Sequence, residues 1–86
     1  MSDLNRWYGI GRLTADPQLT YTQGGASVTK FSIASSYTYT KDGAKKETTS
    51  FFNCVAWAKT GEIIAQYVKK GQRIAIEGRL QQRSWD

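Results

Sequence analysis

Histidine is absent, cysteine and proline occur once each, and no apolar run approaches the roughly 20 residues that a membrane-spanning helix needs. Each absence removes a class of function. Without histidine, Ser-His-Asp and Cys-His nucleophilic arrangements have no base. With one Cys and no His, a zinc site of the usual nitrogen and sulfur type has too few ligands. The single Cys54 leaves no partner for an internal disulfide and fits a reducing, cytoplasmic setting. Met1 to Arg6 is polar and no apolar stretch follows it, so no signal peptide is expected. The carboxylates Asp3, Asp16, Asp42, Glu47, Glu62, Glu77 and Asp86 are scattered, and nothing in their spacing pairs two of them for acid–base work. The chain is therefore not expected to be an enzyme, and neither a cofactor nor a metal is expected. Internal repeats and low-complexity segments are missing too. The 86 residues suffice for one small domain spanning 1–86. Such a domain buries only about 60% of its unfolded surface, so its core is thin and oligomerisation would help it.

What is present is a basic excess and a crowd of aromatics. Twelve Lys and Arg face seven Asp and Glu, for a net charge of +5 that favours a polyanionic partner. Phe51 to Ala58 reads as a strand, dense in aromatic and β-branched residues and free of Gly and Pro. Alternation puts Phe52, Cys54, Ala56 and Ala58 on one face, mostly small and apolar as the interior of a small barrel requires. The other face receives Phe51, Asn53, Val55 and Trp57. Phe51 and Trp57 would then stand roughly 20 Å apart on the outside. Outward aromatics on a basic domain read as a platform for stacking bases, or else as a second core or subunit interface.

The rest of the chain supplies a barrel around that strand. Arg6 to Ala15 is a strand whose Gly9 and Gly11 share one face, as suits a coiled strand packed closely by another segment. Asp16-Pro17 turns the chain into a short strand, Gln18 to Thr22, and Gln23-Gly24-Gly25 is a second turn. Ala26 to Tyr39 is a long strand with Phe31 and Ile33 inward. Strict alternation also sends Tyr37 and Tyr39 inward, which is too much bulk for so small a barrel, so a bend or bulge near Ser35-Ser36 that turns one or both outward is predicted. Thr40 to Glu47 reads as a hairpin loop with Asp42-Gly43 at its turn and Lys41, Lys45 and Lys46 at its tip. Those lysines are either a solvated turn or an arm that follows a phosphate backbone. Thr60 is the predicted N-cap of a helix about ten residues long, with Glu62 in its first turn. Ile63, Ile64, Tyr67 and Val68 form its apolar stripe, and Lys69, Lys70 and Gly71 mark its end. Gln72 to Trp85 returns as a strand. Ile74, Ile76, Gly78 and Leu80 face the core, while Arg73, Ala75, Glu77, Arg79, Gln81, Arg83 and Trp85 face solvent.

This order predicts an all-β domain: an oligonucleotide-binding (OB-fold) Greek-key barrel with one short helix between the third and fourth long strands. The sequence resembles the bacterial-type single-stranded DNA-binding proteins. The resemblance runs through Gly11-Arg12-Leu13-Thr14-Ala15-Asp16-Pro17, Phe31-Ser32-Ile33-Ala34, Phe52-Asn53-Cys54-Val55-Ala56-Trp57 with Lys59-Thr60, Tyr67-Val68-Lys69-Lys70-Gly71, and Ile76-Glu77-Gly78-Arg79-Leu80 with Arg83-Ser84-Trp85. It covers nearly the whole chain.

The resemblance implies sequence-independent binding and protection of single-stranded DNA in replication, recombination and repair. It places base stacking on Tyr39, Phe51, Trp57 and Trp85, and phosphate contacts near Arg6, Lys59, Lys69, Lys70 and Arg83. Lys41, Lys45 and Lys46 lie in the family's mobile hairpin arm, and Arg79 shares the outward face with Arg83 and Trp85. A homotetramer and a cytoplasmic, nucleoid-associated location are implied with it. The family's fifth barrel strand, linker and acidic C-terminal tail have no counterpart in this sequence, so partner recruitment through a tail is not expected of it. Arg6-Trp7-Tyr8-Gly9-Ile10 stands where the family shows an unbroken aliphatic run that contributes to subunit contacts. Phe52 stands where some members carry a polar residue at a subunit contact. The alternatives are an RNA-binding barrel, which stacks bases in the same way, and an assembly module whose exposed aromatics are subunit interfaces.

Overall fold

Alternating apolar residues call for sheet with one covered face. In the computed structural model, which describes residues 3–81, the elements are β1 (Trp7–Leu13), β2 (Gln18–Tyr21), β3 (Ser27–Lys41), β4 (Ala44–Trp57), α1 (Ala58–Tyr67) and β5 (Arg73–Gly78). All pairings are antiparallel: β4 lies on β3, β3 also on β1 and β2, and β1 on β5. The long strands therefore lie in the order β5-β1-β3-β4, with the last returning beside the first, which is a Greek key. The helix falls between the third and fourth long strands, as predicted.

Leu13, Phe31 and Ile33 form the buried cluster, and Trp7, Phe52, Cys54, Ala56, Ile64, Val68, Ile74 and Ile76 pack against it. The inward assignments of Phe31, Ile33, Phe52, Cys54, Ala56, Ile74 and Ile76 thus hold. Gly11 sits where β1 meets β3: a Cβ there would stand 2.7 Å from the Ala34 carbonyl oxygen. Beside it, the indole of Trp7 folds over Gly9 and rests on Phe52, with ring centroids 5.1 Å apart and planes tilted by 55°. The expected packing of another segment holds at Gly11, where β3 approaches, but at Gly9 the neighbour is the strand's own Trp7. Leu80, expected in the core, is exposed because β5 ends at Gly78. Its backbone is held instead by Asn5, whose amide donates to the Leu80 carbonyl (2.9 Å) and accepts from the Leu80 N–H (3.1 Å).

The helix departs from its predicted form in cap and stripe. It begins at Ala58, with Trp57 as N-cap and no side-chain cap, so Thr60 lies inside it. Ala58, expected inward on the strand, is exposed and adopts a φ of 53°, which turns the chain from strand into helix. No acidic residue lies in the first turn and no basic residue in the last, because Glu62 falls one turn in and Lys69 and Lys70 follow the C-cap Val68. The contact with the sheet is centred on Gly61. Its carbonyl accepts a 2.7 Å hydrogen bond from the fully buried Thr29 hydroxyl, and a Cβ at 61 would meet the Ala56 carbonyl oxygen at 2.5 Å. Centring on Gly61 selects Ile64, Ala65 and Val68 as the inward positions at helical spacing. Ile63 and Tyr67, half of the predicted stripe, are left exposed.

The β3–β4 hairpin is longer and tighter than the sequence indicates. Its ladder runs without interruption from Val28↔Trp57 to Lys41↔Ala44, so Ser35-Ser36 carries no bulge and the alternation of side chains is unbroken there. The predicted eight-residue loop shrinks to Asp42-Gly43, both at positive φ (53° and 76°), as a two-residue type I′ turn requires. Tyr37 and Tyr39 are exposed for another reason: beyond Ser35 the hairpin leaves the core as a projecting arm, and among the described residues nothing covers the face that was inward. The radius of gyration, 15.6 Å, reflects this arm, since a compact chain of this length has about 12 Å. Cross-strand pairs stiffen the ribbon, among them the Ser36 and Thr49 hydroxyls at 3.2 Å.

Two stability predictions follow from the packing. Gly61→Ala pushes a methyl against backbone and is expected to cost about 1–3 kcal/mol, and Thr29→Val about 1 kcal/mol, both measured by urea unfolding. Burial raises the Cys54 thiol above its ordinary pKa. The unfolded chain then ionises first, so stability should fall as pH rises through and beyond about 8.5. Cys54→Ser melts compared across that range test this, because the fall should be shallower in the variant than in the unsubstituted protein.

Candidate nucleic-acid interface

The outward face of β4 is built by register. Residues directly opposite one another in an antiparallel ladder share a face. Phe51 faces Ala34, Asn53 faces Ser32, Val55 faces Lys30 and Trp57 faces Val28. With Phe52, Cys54 and Ala56 anchored inward, the odd-numbered side chains must point out. Phe51 is 68% exposed and Trp57 57%, with Val55 exposed between them. Trp57 is held from both sides, by the β4 ladder before it and by α1 after it. The result is an aromatic row about 20 Å long on a rigid strand.

The basic residues divide into groups. Lys59 is exposed in the first turn of α1, two residues past Trp57. Lys69 and Lys70 are exposed between α1 and β5, and their backbone N–H groups are fixed by Gln72 Oε1 (2.7 Å) and Asp16 Oδ1 (2.8 Å). Arg6 is exposed and pairs with Glu77 at 2.8 Å, a solvent-accessible ion pair that contributes little to stability. Arg79 is exposed just past β5, near the same end of β1. Lys41, Lys45 and Lys46 lie at the arm tip. Arg83 and Trp85 lie outside the described residues.

Tyr39 is not on the platform of Phe51 and Trp57. It faces Lys46, and unbroken alternation puts it on the opposite side of the β3–β4 ribbon from Phe51. Its ring stacks on that of Tyr37, with centroids 6.0 Å apart and planes 18° from parallel.

Sequence reasoning missed Lys30, Arg12 and Arg73 as site candidates. Lys30 sits opposite Val55 on the aromatic face. Arg12 sits opposite Ala34, itself opposite Phe51, and Arg73 sits opposite Arg12. Parity with Ala34 was the available signal for Lys30. The Arg12 and Arg73 positions needed the pairing of β1 with both neighbours, which no local pattern reveals. Among the described residues, no group of three or more Cys, Asp or Glu could hold a metal.

Known proteins share this architecture. The model of the "Single-strand binding protein family" matches residues 4–86. "Single-stranded DNA-binding protein A" of Bacillus subtilis (strain 168) is 42% identical over 83 residues, 96% of this chain and 48% of that protein. The "Single-stranded DNA-binding protein" of Treponema pallidum (strain Nichols) is 38% identical over 86 residues, all of this chain and 49% of its own. The chain thus spans about half the length of the curated relatives it matches. Among solved structures, the Plasmodium falciparum SSB complex with ssDNA superposes with a TM-score of 0.90 at 27% identity, covering 100% of this chain and 78% of that one. A deletion mutant of the single-stranded DNA binding protein from Thermus aquaticus gives 0.85 at 32% identity, over 96% of this chain and 41% of the other. The Greek-key sheet with its single helix is the OB-fold predicted from the sequence, and the chain belongs to the single-strand binding protein family.

Proposed function

We propose that this chain binds single-stranded DNA without sequence preference, stacking bases on Phe51 and Trp57 while Lys and Arg side chains follow the phosphates. The observation that carries the reading is the outward aromatic row of β4, exposed on a basic domain and joined by Lys30. Every base has a π-face, so stacking is indifferent to sequence, and a duplex hides those faces. Each base–aromatic stack contributes about 1–3 kcal/mol. Trp85 and Tyr39 complete the proposed stacking set. The phosphate contacts are assigned to Arg6, Lys41, Lys45, Lys46, Lys59, Lys69, Lys70, Arg79 and Arg83. The printed names of the relatives, and a structural neighbour solved with ssDNA, support the same partner. The role fits protection of single strands in replication, recombination and repair, in the cytoplasm with the nucleoid, and assigns no catalysis to the chain.

A homotetramer belongs to this proposal. Tyr8 and Ile10 on β1 are exposed on the same face as Ala75 of β5, an apolar strip that a second copy would cover. Light scattering should give a mass of several subunits, and Tyr8→Lys with Ile10→Lys should lower it.

Oligo-dT should quench tryptophan fluorescence, whereas duplex DNA of equal length should not. Trp57→Ala should weaken binding by about 1–3 kcal/mol. The logarithm of affinity should fall with the logarithm of salt at about −0.7 per phosphate neutralised. Equal weak binding to duplex and single strand, abolished by salt, would overturn the stacking mechanism.

A further inference from the structure

Two arginines have no role in the function assigned above. Arg12 of β1 and Arg73 of β5 stand directly opposite one another, and like charges so placed repel. Arg12 Nη1 donates to the Gly71 carbonyl at 3.1 Å, which holds its guanidinium against the start of β5. Both side chains are exposed, and the only ion pair among the described residues is that of Arg6 with Glu77. With Tyr8, Ile10, Ala34 and Ala75 the two arginines line a depression of about 890 Å³ on the outer face of the sheet.

The ladders place this pair between two surfaces. On one side, Arg12 lies opposite Ala34 and Ala34 opposite Phe51, so the arginines continue a row that begins with Phe51. At about 4.8 Å per strand, the Phe51 and Arg12 backbones are about 10 Å apart. On the other side, Ile10 and Ala75 come next along the ladder, then Tyr8 and Glu77. That is the apolar strip a second copy would cover. Its one carboxylate, Glu77, is already held by Arg6 at 2.8 Å. Glu47 shares the face only on the arm, opposite Thr38, about 13 Å along β3 from Ala34 and beyond the screening length of about 8 Å. A second copy laid on the strip therefore brings two more arginines and no free carboxylate from its own strip. Desolvating guanidinium groups without a countercharge is unfavourable. A multiply charged oxyanion removes that cost, because each planar fork can bind it through paired N–H groups.

We propose that Arg12 and Arg73 form a phosphate site at the end of the Tyr8–Ile10–Ala75 strip, and that a phosphate group bound there lets a second copy pack on the strip. The group is either inorganic phosphate or a backbone phosphate of a strand stacked at Phe51, and its chemistry at the arginines is the same. The proposal rests on the subunit-assembly reading above but can fail while that reading stands.

The test follows subunit mass by light scattering over a range of protein concentrations, in chloride and in phosphate at matched pH and ionic strength. Phosphate is expected to lower the dissociation constant of the assembly about tenfold, the gain of one charge-assisted contact. The effect should saturate, unlike the general salting-out that strengthens apolar burial. Arg73→Gln keeps a long polar side chain, removes the charge and should assemble equally in both salts, with circular dichroism confirming its fold. A third sample, oligo-dT of about 4 nucleotides in chloride, separates the sources. Association driven by the oligomer alone places a backbone phosphate at the site, and association driven by inorganic phosphate places the free ion there. Equal assembly of the unsubstituted protein in all three samples, or an effect that persists in Arg73→Gln, would overturn the site. If the protein stays a single subunit throughout, the assembly reading itself is wrong and the site falls with it. Should Arg73→Gln not fold, phosphorus NMR of inorganic phosphate titrated with the unsubstituted protein decides. Saturable broadening that tracks the subunit mass supports the site, and its absence overturns it.

Discussion

The uninterrupted ladder between β3 and β4 is the constraint on which the rest depends. Its register pairs Val28 with Trp57 and Lys41 with Ala44 without one slip. A slip of one residue would invert every side chain of β4. Burial of Ile33 opposite Phe52 holds the register at the core, and the Asp42-Gly43 turn holds it at the tip. A single alternation therefore buries Phe52, Cys54 and Ala56 and exposes Phe51, Val55 and Trp57. The aromatic platform is the geometric complement of the core, and neither can change without the other.

The helix secures the far end of that platform. Trp57 is at once the last residue of β4 and the N-cap of α1, and Ala58 turns the chain through a left-handed conformation directly after it. Such a backbone costs a non-glycine residue energy and persists only where its surroundings impose it. Here the imposition comes from Thr29 and Gly61, whose hydrogen bond and close packing bind α1 to β3. A buried threonine hydroxyl thus helps fix the direction of an exposed indole.

The fold was readable because period-2 alternation survives wherever a face is buried. Phe31, Ile33, Phe52, Cys54, Ala56, Ile74 and Ile76 follow it, and so does the outward set Phe51, Val55 and Trp57. The same rule misled on Tyr37 and Tyr39. Alternation specifies a side of the ribbon, but burial depends on whether something covers that side, and the extent of the arm is a tertiary fact. On the helix, the pattern of large apolar residues pointed to Ile63 and Tyr67, whereas the smallest residue, Gly61, set the contact. Leu80 shows the third kind of error, a strand pattern continuing past the point where a pairing partner ends. Lys30 was within reach of parity alone, while Arg12 and Arg73 required knowledge that β1 lies between β3 and β5.

Charge range separates the basic residues into two groups. From Ala34, beside Phe51, to Lys41 is seven residues of extended chain, about 23 Å. The screening length at physiological ionic strength is about 8 Å. Lys41, Lys45 and Lys46 therefore contribute little to the field at the Phe51–Trp57 row. Any attraction of phosphates there must come from nearer groups, of which Lys30 lies across from Val55 and Lys59 follows Trp57 within two residues. The arm lysines stand instead beside Tyr37 and Tyr39, Lys46 directly opposite Tyr39. Screening thus makes each aromatic set depend on its own local cations, and the register supplies both with them.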